Sequence, residues 1–85
     1  MREISYSRSA LKMLRRLPVN VSLLIRQKIE QYASAPEQLA GQVKKLQGGD
    51  GYRLRVGDWR VIFDAKGNVL EILEIGPRGS VNERS

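Results

Sequence analysis

The chain has 85 residues, and its 15 lysines and arginines outnumber its 9 aspartates and glutamates for a formal net charge of +6. This length predicts a single domain spanning residues 1–85. Cysteine and histidine are absent, which excludes a disulfide framework, thiolate or imidazole metal sites and the commonest general base. No apolar run approaches the ~20 residues of a membrane span and no signal peptide is recognisable, so we expect a cytoplasmic protein without a membrane partner. The positive charge favours polyanionic partners, although it could also serve solubility alone.

The chain begins with a predicted strand and helix. Residues 2–6 alternate weakly between apolar and polar, which predicts a short strand anchored by Ile4 and Tyr6. Ser7 is a suitable N-cap for a helix that runs to Leu17, with apolar residues at helical spacing.

A second helix is predicted after Pro18, from position 19 or 20 to Ala33. Its apolar residues recur at helical spacing and form a predicted buried stripe of Val21, Leu24, Ile25, Ile29 and Tyr32. Two helices with so short a joint form a helical hairpin. Pro36 would then open a short helical turn that ends at Gly41.

A tight β-hairpin is predicted between Tyr52 and Phe63. Gly57-Asp58 is typical of a two-residue turn, and this turn places Arg55 opposite Arg60. Because side chains alternate along a strand, one face is apolar and consists of Tyr52, Leu54, Val56, Trp59, Val61 and Phe63. The other face carries Arg53, Arg55 and Arg60. Like charges directly opposite each other destabilise a sheet by about 0.2–1 kcal/mol, so this face favours an anionic ligand.

A second hairpin is predicted to turn at Lys66-Gly67. With a two-residue loop, Phe63 would face Leu70 and Val61 would face Ile72. The arginine face would then also carry Glu71, Leu73 and Ile75. The sheet would end at Ile75, and residues 76–81 would leave it as an irregular tail. We therefore expect an α+β, two-layer domain in which the helical hairpin covers one face of an antiparallel sheet.

Three segments resemble the RelE/ParE superfamily of bacterial toxins from toxin–antitoxin pairs, namely residues 43–48, 51–63 and 75–81. The resemblance implies the order strand, helical hairpin, three strands, and one of two activities. RelE-like members cleave messenger RNA in the ribosomal A site, whereas ParE-like members inhibit DNA gyrase without cutting nucleic acid.

The resemblance also implies site residues. The catalytic basic positions of RelE-like enzymes fall on Arg53, Arg55, Arg60 and Arg78, and the family's tyrosine position falls on or near Asn82. Cleavage by 2′-OH attack needs a base, charge stabilisation and a proton for the leaving oxygen. Arginines stabilise charge well but are poor proton carriers. The proton carrier stays open between the ribosome itself and four side chains, Lys44, Lys45, Tyr52 and Glu83.

Several alternatives remain open. Further candidates for RNA contact are Lys44, Lys45, Arg15 and Arg16, which could instead be ordinary solvated surface. The expected partners are a cognate antitoxin together with the ribosome and mRNA, or DNA gyrase, and no metal or cofactor is expected. A catalytically weakened RelE-like variant and a binding module for an acidic partner are the other interpretations.

Overall fold

A computed structural model describes residues 3–46 and 51–77. The elements in chain order are β1 (Glu3–Tyr6), α1 (Arg8–Arg16), α2 (Val19–Ser34), a 3-10 segment (Pro36–Gln42), β2 (Val43–Lys45), β3 (Tyr52–Val56), β4 (Trp59–Lys66) and β5 (Val69–Pro77). The helices pack on one face of a five-stranded sheet, which confirms the predicted α+β, two-layer arrangement. Within the described ranges, no helix is both long and apolar enough to cross a membrane.

The sheet has the strand order β1-β5-β4-β3-β2. Strand β1 pairs with β5 in parallel, and the other pairs are antiparallel. Three strands were expected after the helices, but β2 adds a fourth at the sheet edge. This strand contains two lysines. Lysine is depleted in strands generally but is common on edge strands, where its charge discourages pairing with another chain.

The first hairpin has the predicted register. Arg55 lies opposite Arg60, and Val56 lies opposite Trp59 beside the turn. Gly57 has a φ of 59°, and Asp58, its non-glycine neighbour in the turn, has no positive φ. This combination matches a type II′ turn, which requires glycine at its first central position.

The predicted register of the second hairpin is wrong. The turn lies at Gly67-Asn68, so that Phe63 faces Ile72 and not Leu70. A β-bulge then leaves Leu73 without an opposing residue, because the next pair is Ile62 with Glu74. A bulge adds one residue to one strand and therefore exchanges the faces of all residues beyond it.

The bulge moves Ile75 from the arginine face to the core. Ile75 is only 2% exposed and faces Val61, while Leu73 is 39% exposed. Glu74 and Gly76 lie on the arginine face, where Leu73 and Ile75 were predicted. The sheet accordingly extends to Pro77, two residues beyond the predicted end.

The start of α1 is tied to this bulge. Ser7 is the N-cap as predicted, and its Oγ accepts a hydrogen bond of 3.0 Å from the Ala10 amide. The same hydroxyl donates to the Leu73 carbonyl oxygen at 2.7 Å. One side chain therefore caps the helix and holds the bulged residue.

The stripe that α2 buries differs from the prediction by one position. Ile25, Ile29 and Ala33 are buried at i, i+4 and i+8, while Leu24 is 43% exposed. The predicted members Val21 and Tyr32 are partly buried against the core. The core beneath the helices is completed by residues of the sheet and the 3-10 segment, namely Leu39, Leu54, Val56, Val61, Phe63, Leu70, Ile72 and Ile75.

Candidate nucleic-acid interface

The sheet face opposite the helices gathers four cations at one corner. Lys44 of β2 lies opposite Arg53 of β3, and Arg55 of β3 lies opposite Arg60 of β4. Because paired residues project to the same side of a sheet, all four side chains share this face. The hairpin turn at Gly57 fixes the arginines, and the short edge strand adds the lysine.

These side chains enclose a pocket of about 140 Å³, which we call the basic pocket. Its wall consists of Gly41, Gln42, Lys44, Arg53, Arg55 and Arg60. The described lining residues carry four positive charges and no carboxylate. Guanidinium groups match the oxygens of a phosphate in bidentate geometry, so the pocket is suited to a phosphate or a similar anion.

Ile62 interrupts the charges on this face. It lies between Arg53 and Glu74 in the sheet, on the side away from the helices, yet it is only 7% exposed. Two residues before Ile62 on β4, Arg60 lies opposite Gly76, which has no side chain to contact it. The bulge is the cause of this pairing, since without it Ile75 would occupy the place beside the arginines.

Acidic residues occupy the opposite part of the same face. The register puts Glu3, Asp64, Glu71 and Glu74 on it, across β1, β5 and the end of β4. Asp64 accepts a hydrogen bond from the Ala65 amide at 2.9 Å and lies 3.8 Å from the Lys66 ammonium. The open face is thus divided into a basic and an acidic part.

Other candidate residues lie away from the basic pocket. Lys45 pairs with Tyr52 and so projects to the opposite side of the sheet from Lys44. Arg15 and Arg16 are exposed in the last turn of α1, in the helical layer. Their roles in RNA contact stay predictions.

Three further positions named in the sequence analysis, Arg78, Asn82 and Glu83, lie outside the described residues.

Two aromatic residues were predicted to belong to the core. The Tyr52 ring stacks on Phe63 with centroids 5.5 Å apart and planes at 21°, on the helix side of the sheet. Trp59 is partly buried against the core cluster. Both placements agree with the prediction, and neither ring lines the basic pocket.

Gly41 and Gln42 were not predicted as site residues. They reach the pocket because the 3-10 segment leads directly into β2 beside Arg53. The sequence carried no signal for them, because β2, which pairs Val43 with Leu54, has only three residues.

A shifted pKa occurs on the helix side of the sheet. Burial raises the pKa of the Tyr6 hydroxyl above its ordinary value of 10.0, the nearby Arg26 charge opposes this shift, and Glu30 adds to it. The Arg26 guanidinium lies 5.7 Å from the centroid of the Tyr6 ring. Among the described residues no group of three metal-binding acidic, histidine or cysteine side chains occurs.

Comparison with known proteins identifies the family. The sequence model of the family described as "ParE toxin of type II toxin-antitoxin system, parDE" matches residues 4–81. No curated protein sequence matches the chain.

Solved structures share the fold. The archaeal RelE–RelB complex from Pyrococcus horikoshii OT3 is 30% identical, with 94% of this chain and 98% of that chain covered and a TM-score of 0.74. The isolated E. coli RelE toxin is 20% identical, with coverage of 96% and 89% and a TM-score of 0.76. The YoeB/ParE toxin from Agrobacterium tumefaciens is 16% identical, with coverage of 89% and 98% and a TM-score of 0.72. The family match over residues 4–81, together with the archaeal relative, shows that this chain belongs to the ParE toxin family of type II toxin–antitoxin systems, within the RelE/ParE superfamily.

Proposed function

We propose that this toxin is RelE-like and cleaves messenger RNA in the ribosomal A site without a metal ion. The observation that carries the proposal is the basic pocket, in which Lys44, Arg53, Arg55 and Arg60 surround a space of about 140 Å³. The similarity to RelE structures supports it. Its cellular location would be the cytoplasm, where translating ribosomes are found.

The reaction begins with attack of the ribose 2′-oxygen on the adjacent phosphorus. The bond from phosphorus to the 5′-oxygen then breaks, which leaves a 2′,3′-cyclic phosphate and a 5′-hydroxyl. Negative charge grows on the phosphoryl oxygens in the transition state, and Arg53, Arg55 and Arg60 stabilise it from the wall of the pocket. Arg78 would join them in the role that the family resemblance gives it.

A proton must leave the 2′-hydroxyl and another must reach the 5′-oxygen. We assign the delivery of a proton to the 5′-oxygen to Lys44, because a protonated amine releases its proton far more readily than a guanidinium. The proton of the 2′-hydroxyl would pass to a group of the ribosome. Of the other candidates, Lys45 and Tyr52 project to the helix side of the sheet. Asn82 occupies or lies near the position where the family more often has a tyrosine, so the chain relies on a residue other than that tyrosine.

The test maps mRNA ends on translating ribosomes with the wild-type chain and with Asn82→Tyr. We expect cuts in the A site with the wild-type chain. Arg60→Gln should abolish these cuts, whereas Lys66→Gln should leave them unchanged. Lys66 is a matched control, since it lies on the same strand and face but beside Asp64. Absence of A-site cuts with both the wild-type chain and Asn82→Tyr would refute the proposal.

A conservative change tests the role of Lys44 separately. Lys44→Arg keeps the positive charge, so RNA affinity should be retained while the cleavage rate falls. Cleavage at the wild-type rate by this variant would remove Lys44 from the proton transfer.

Inhibition of DNA gyrase is the second candidate function. The matching family model is that of the ParE toxins, and the arginines of the pocket are poor proton carriers. This function predicts blocked supercoiling by purified gyrase and no cleavage of mRNA. Unchanged supercoiling would exclude it.

The proposed partner in either case is a cognate antitoxin. The solved relatives include RelE–RelB complexes from P. horikoshii and E. coli. An acidic segment of the antitoxin would complement the positive charge of this chain.

A further inference from the structure

A second cavity lies where β3 continues beyond β2. Strand β2 begins at Val43, opposite Leu54, so the last two residues of β3 extend past it towards the hairpin turn. The cavity fills this gap and is bounded on its other side by α2 and the 3-10 segment; we call it the α2 groove. Its volume is about 240 Å³, and its walls include Leu24, Lys28, Leu39, Gln42, Arg55 and Val56.

The size and floor of the α2 groove suit a small flat ligand. Its volume is below the ~300–1,000 Å³ of typical small-molecule sites. Leu39 and Val56 are buried beneath it, and Leu24 stands at its rim with 43% of its surface exposed. Apolar side chains of this kind pack against the flat face of an unstacked nucleobase.

The charges of the groove favour a ligand that is also anionic. The described lining residues include two cations, Lys28 and Arg55, and no carboxylate. A guanidinium plane can in addition stack on a base, as it does in many sites for single-stranded RNA. An apolar floor between cationic walls is therefore complementary to a nucleotide.

The α2 groove is continuous with the basic pocket, because Arg55 and Gln42 line both. A nucleotide joins a flat base to a phosphate through a single ribose, so a phosphate in the basic pocket would bring a neighbouring base to the groove. A free anion would occupy the basic pocket alone. The two cavities together thus match one nucleotide of a single strand.

Gln42 gives the groove a group that can distinguish bases. Its exposed side chain ends in an amide, which has one acceptor oxygen and two donor hydrogens. Such an amide pairs with adenine through two hydrogen bonds, one to the amino group and one to a ring nitrogen. Adenine is therefore the base we expect in the groove.

We propose that the α2 groove binds the base next to the scissile phosphate and that Gln42 makes adenine the preferred base. The inference rests on the proposed function in one respect, namely that the basic pocket holds an RNA phosphate. It adds a sequence preference that the cations of the pocket do not supply, because phosphate groups are the same in every nucleotide.

The binding test uses the full chain and a dinucleotide of two adenosines joined by one phosphate, at low ionic strength. A 2′-deoxyribose on the 5′ side prevents cleavage, and the single phosphate marks the basic pocket. Removal of one of the two bases, which leaves an abasic ribose, should weaken binding about fivefold, whereas removal of the other should have little effect. Unchanged affinity after either removal would overturn the proposal.

A matched pair of leucine variants locates the base. Leu24→Ser should weaken the dinucleotide about fivefold, whereas Leu73→Ser should not, although the two leucines are similarly exposed. With the weaker abasic dinucleotide, Leu24→Ser should cause no further loss, because the base that it contacts is already missing. Equal losses in the two variants, or with the two probes, would refute binding in the groove. A changed oligomeric state of Leu24→Ser with unchanged affinity would identify the groove as an interface between copies and would also refute it.

The role of Gln42 is tested by changing the base. Uracil in place of the bound adenine should weaken binding about fivefold in the wild-type chain, and Gln42→Ala should remove this difference. Gln38→Ala is the control, because Gln38 belongs to the same 3-10 segment but pairs with Gln31. An adenine preference that survives Gln42→Ala would overturn the assignment of base selection to Gln42.

The dinucleotide titrations and the mapping of A-site cuts can fail independently. Base-dependent binding without A-site cuts would refute the nuclease function and leave the base site in place. A-site cuts together with equal affinity for the intact and abasic dinucleotides would support the nuclease function and refute the base site. Failure of the wild-type chain to bind any dinucleotide would overturn the inference.

Discussion

Replacing Arg55 with glutamine should stabilise the protein while weakening its interaction with RNA. Arg55 lies directly opposite Arg60, and both side chains line the basic pocket. A cross-strand pair of like charges costs about 0.2–1 kcal/mol, and 1 kcal/mol shifts the Tm of a domain of this size by about 4–8 °C. The expected gain in Tm is therefore about 1–8 °C at low ionic strength.

The same substitution removes one cation from the proposed RNA site. The slope of log affinity against log salt concentration should fall by about 0.7 for a single-stranded RNA if Arg55 neutralises one phosphate. Thermal unfolding and an RNA titration over a salt series measure both effects on one purified variant. Lys66→Gln is the control, because it makes the same charge change on the same face but removes an attraction to Asp64. It should give no gain in Tm and no change in RNA affinity.

The salt dependence of the gain in Tm tests whether charge repulsion between Arg55 and Arg60 is its cause. Charge repulsion is screened at 1 M salt, where the Debye length is about 3 Å, so the gain in Tm of Arg55→Gln should disappear there. A gain that persists at high salt would show that repulsion is not its cause. A loss of Tm at low salt would show that Arg55 makes a stabilising interaction that outweighs its repulsion from Arg60.

Three further predictions concern stability and pH. Ile75→Ala should lower the free energy of unfolding by about 2–5 kcal/mol in urea titrations while Leu73→Ala changes it little; the reverse result would contradict the bulge. Gly57→Ala should lower the free energy of unfolding by about 1–2 kcal/mol, because alanine is strained at a φ of 59°. A Cβ at this position meets nothing within 4 Å, so no steric clash adds to the loss. An unchanged urea midpoint would show that the turn relaxes. The raised pKa of Tyr6 means that its contribution to stability is complete below pH 10 and is lost as the pH rises through the folded-state pKa. Tyr6→Phe should remove that alkaline loss of Tm, and an identical alkaline profile in both proteins would assign it elsewhere.

The first hairpin could be predicted because its signals are local. A glycine at the first turn position and strict alternation on both sides leave one register that keeps Leu54, Val61 and Phe63 on one face. Arg55 and Arg60 then have to be neighbours. The arginine part of the candidate site was therefore accessible from the sequence alone.

The second hairpin could not be predicted in the same way. Lys66-Gly67 and Gly67-Asn68 are both plausible two-residue turns, and only the packing of the strand decides between them. The bulge at Leu73 depends on tertiary contacts, since it puts Ile75 into the core and gives the Leu73 carbonyl a hydrogen bond from Ser7. A pattern that assumes an unbroken strand misplaces every residue beyond such a point.

The faces of α2 and β2 were also decided by tertiary structure. Leu24 fits the helical stripe as well as Ala33 does, but the helix turns the row of Ile25, Ile29 and Ala33 towards the sheet. Strand β2 has three residues, too few for a periodic signal. Because β2 was not predicted, the sequence could not show that Lys44 lines the pocket whereas Lys45 projects to the helix side of the sheet.

The division of charge across the open face has a consequence for the speed of encounter. A polyanion that approaches the face is attracted to the corner with Lys44 and Arg53 and repelled by the corner with Glu3 and Glu71. The resulting torque turns the protein during diffusion, so more collisions arrive with the basic corner first. Neutralising Glu71 removes part of this repulsion and raises the net positive charge, so encounters with RNA should become more frequent while a smaller share of them arrives with the basic corner first.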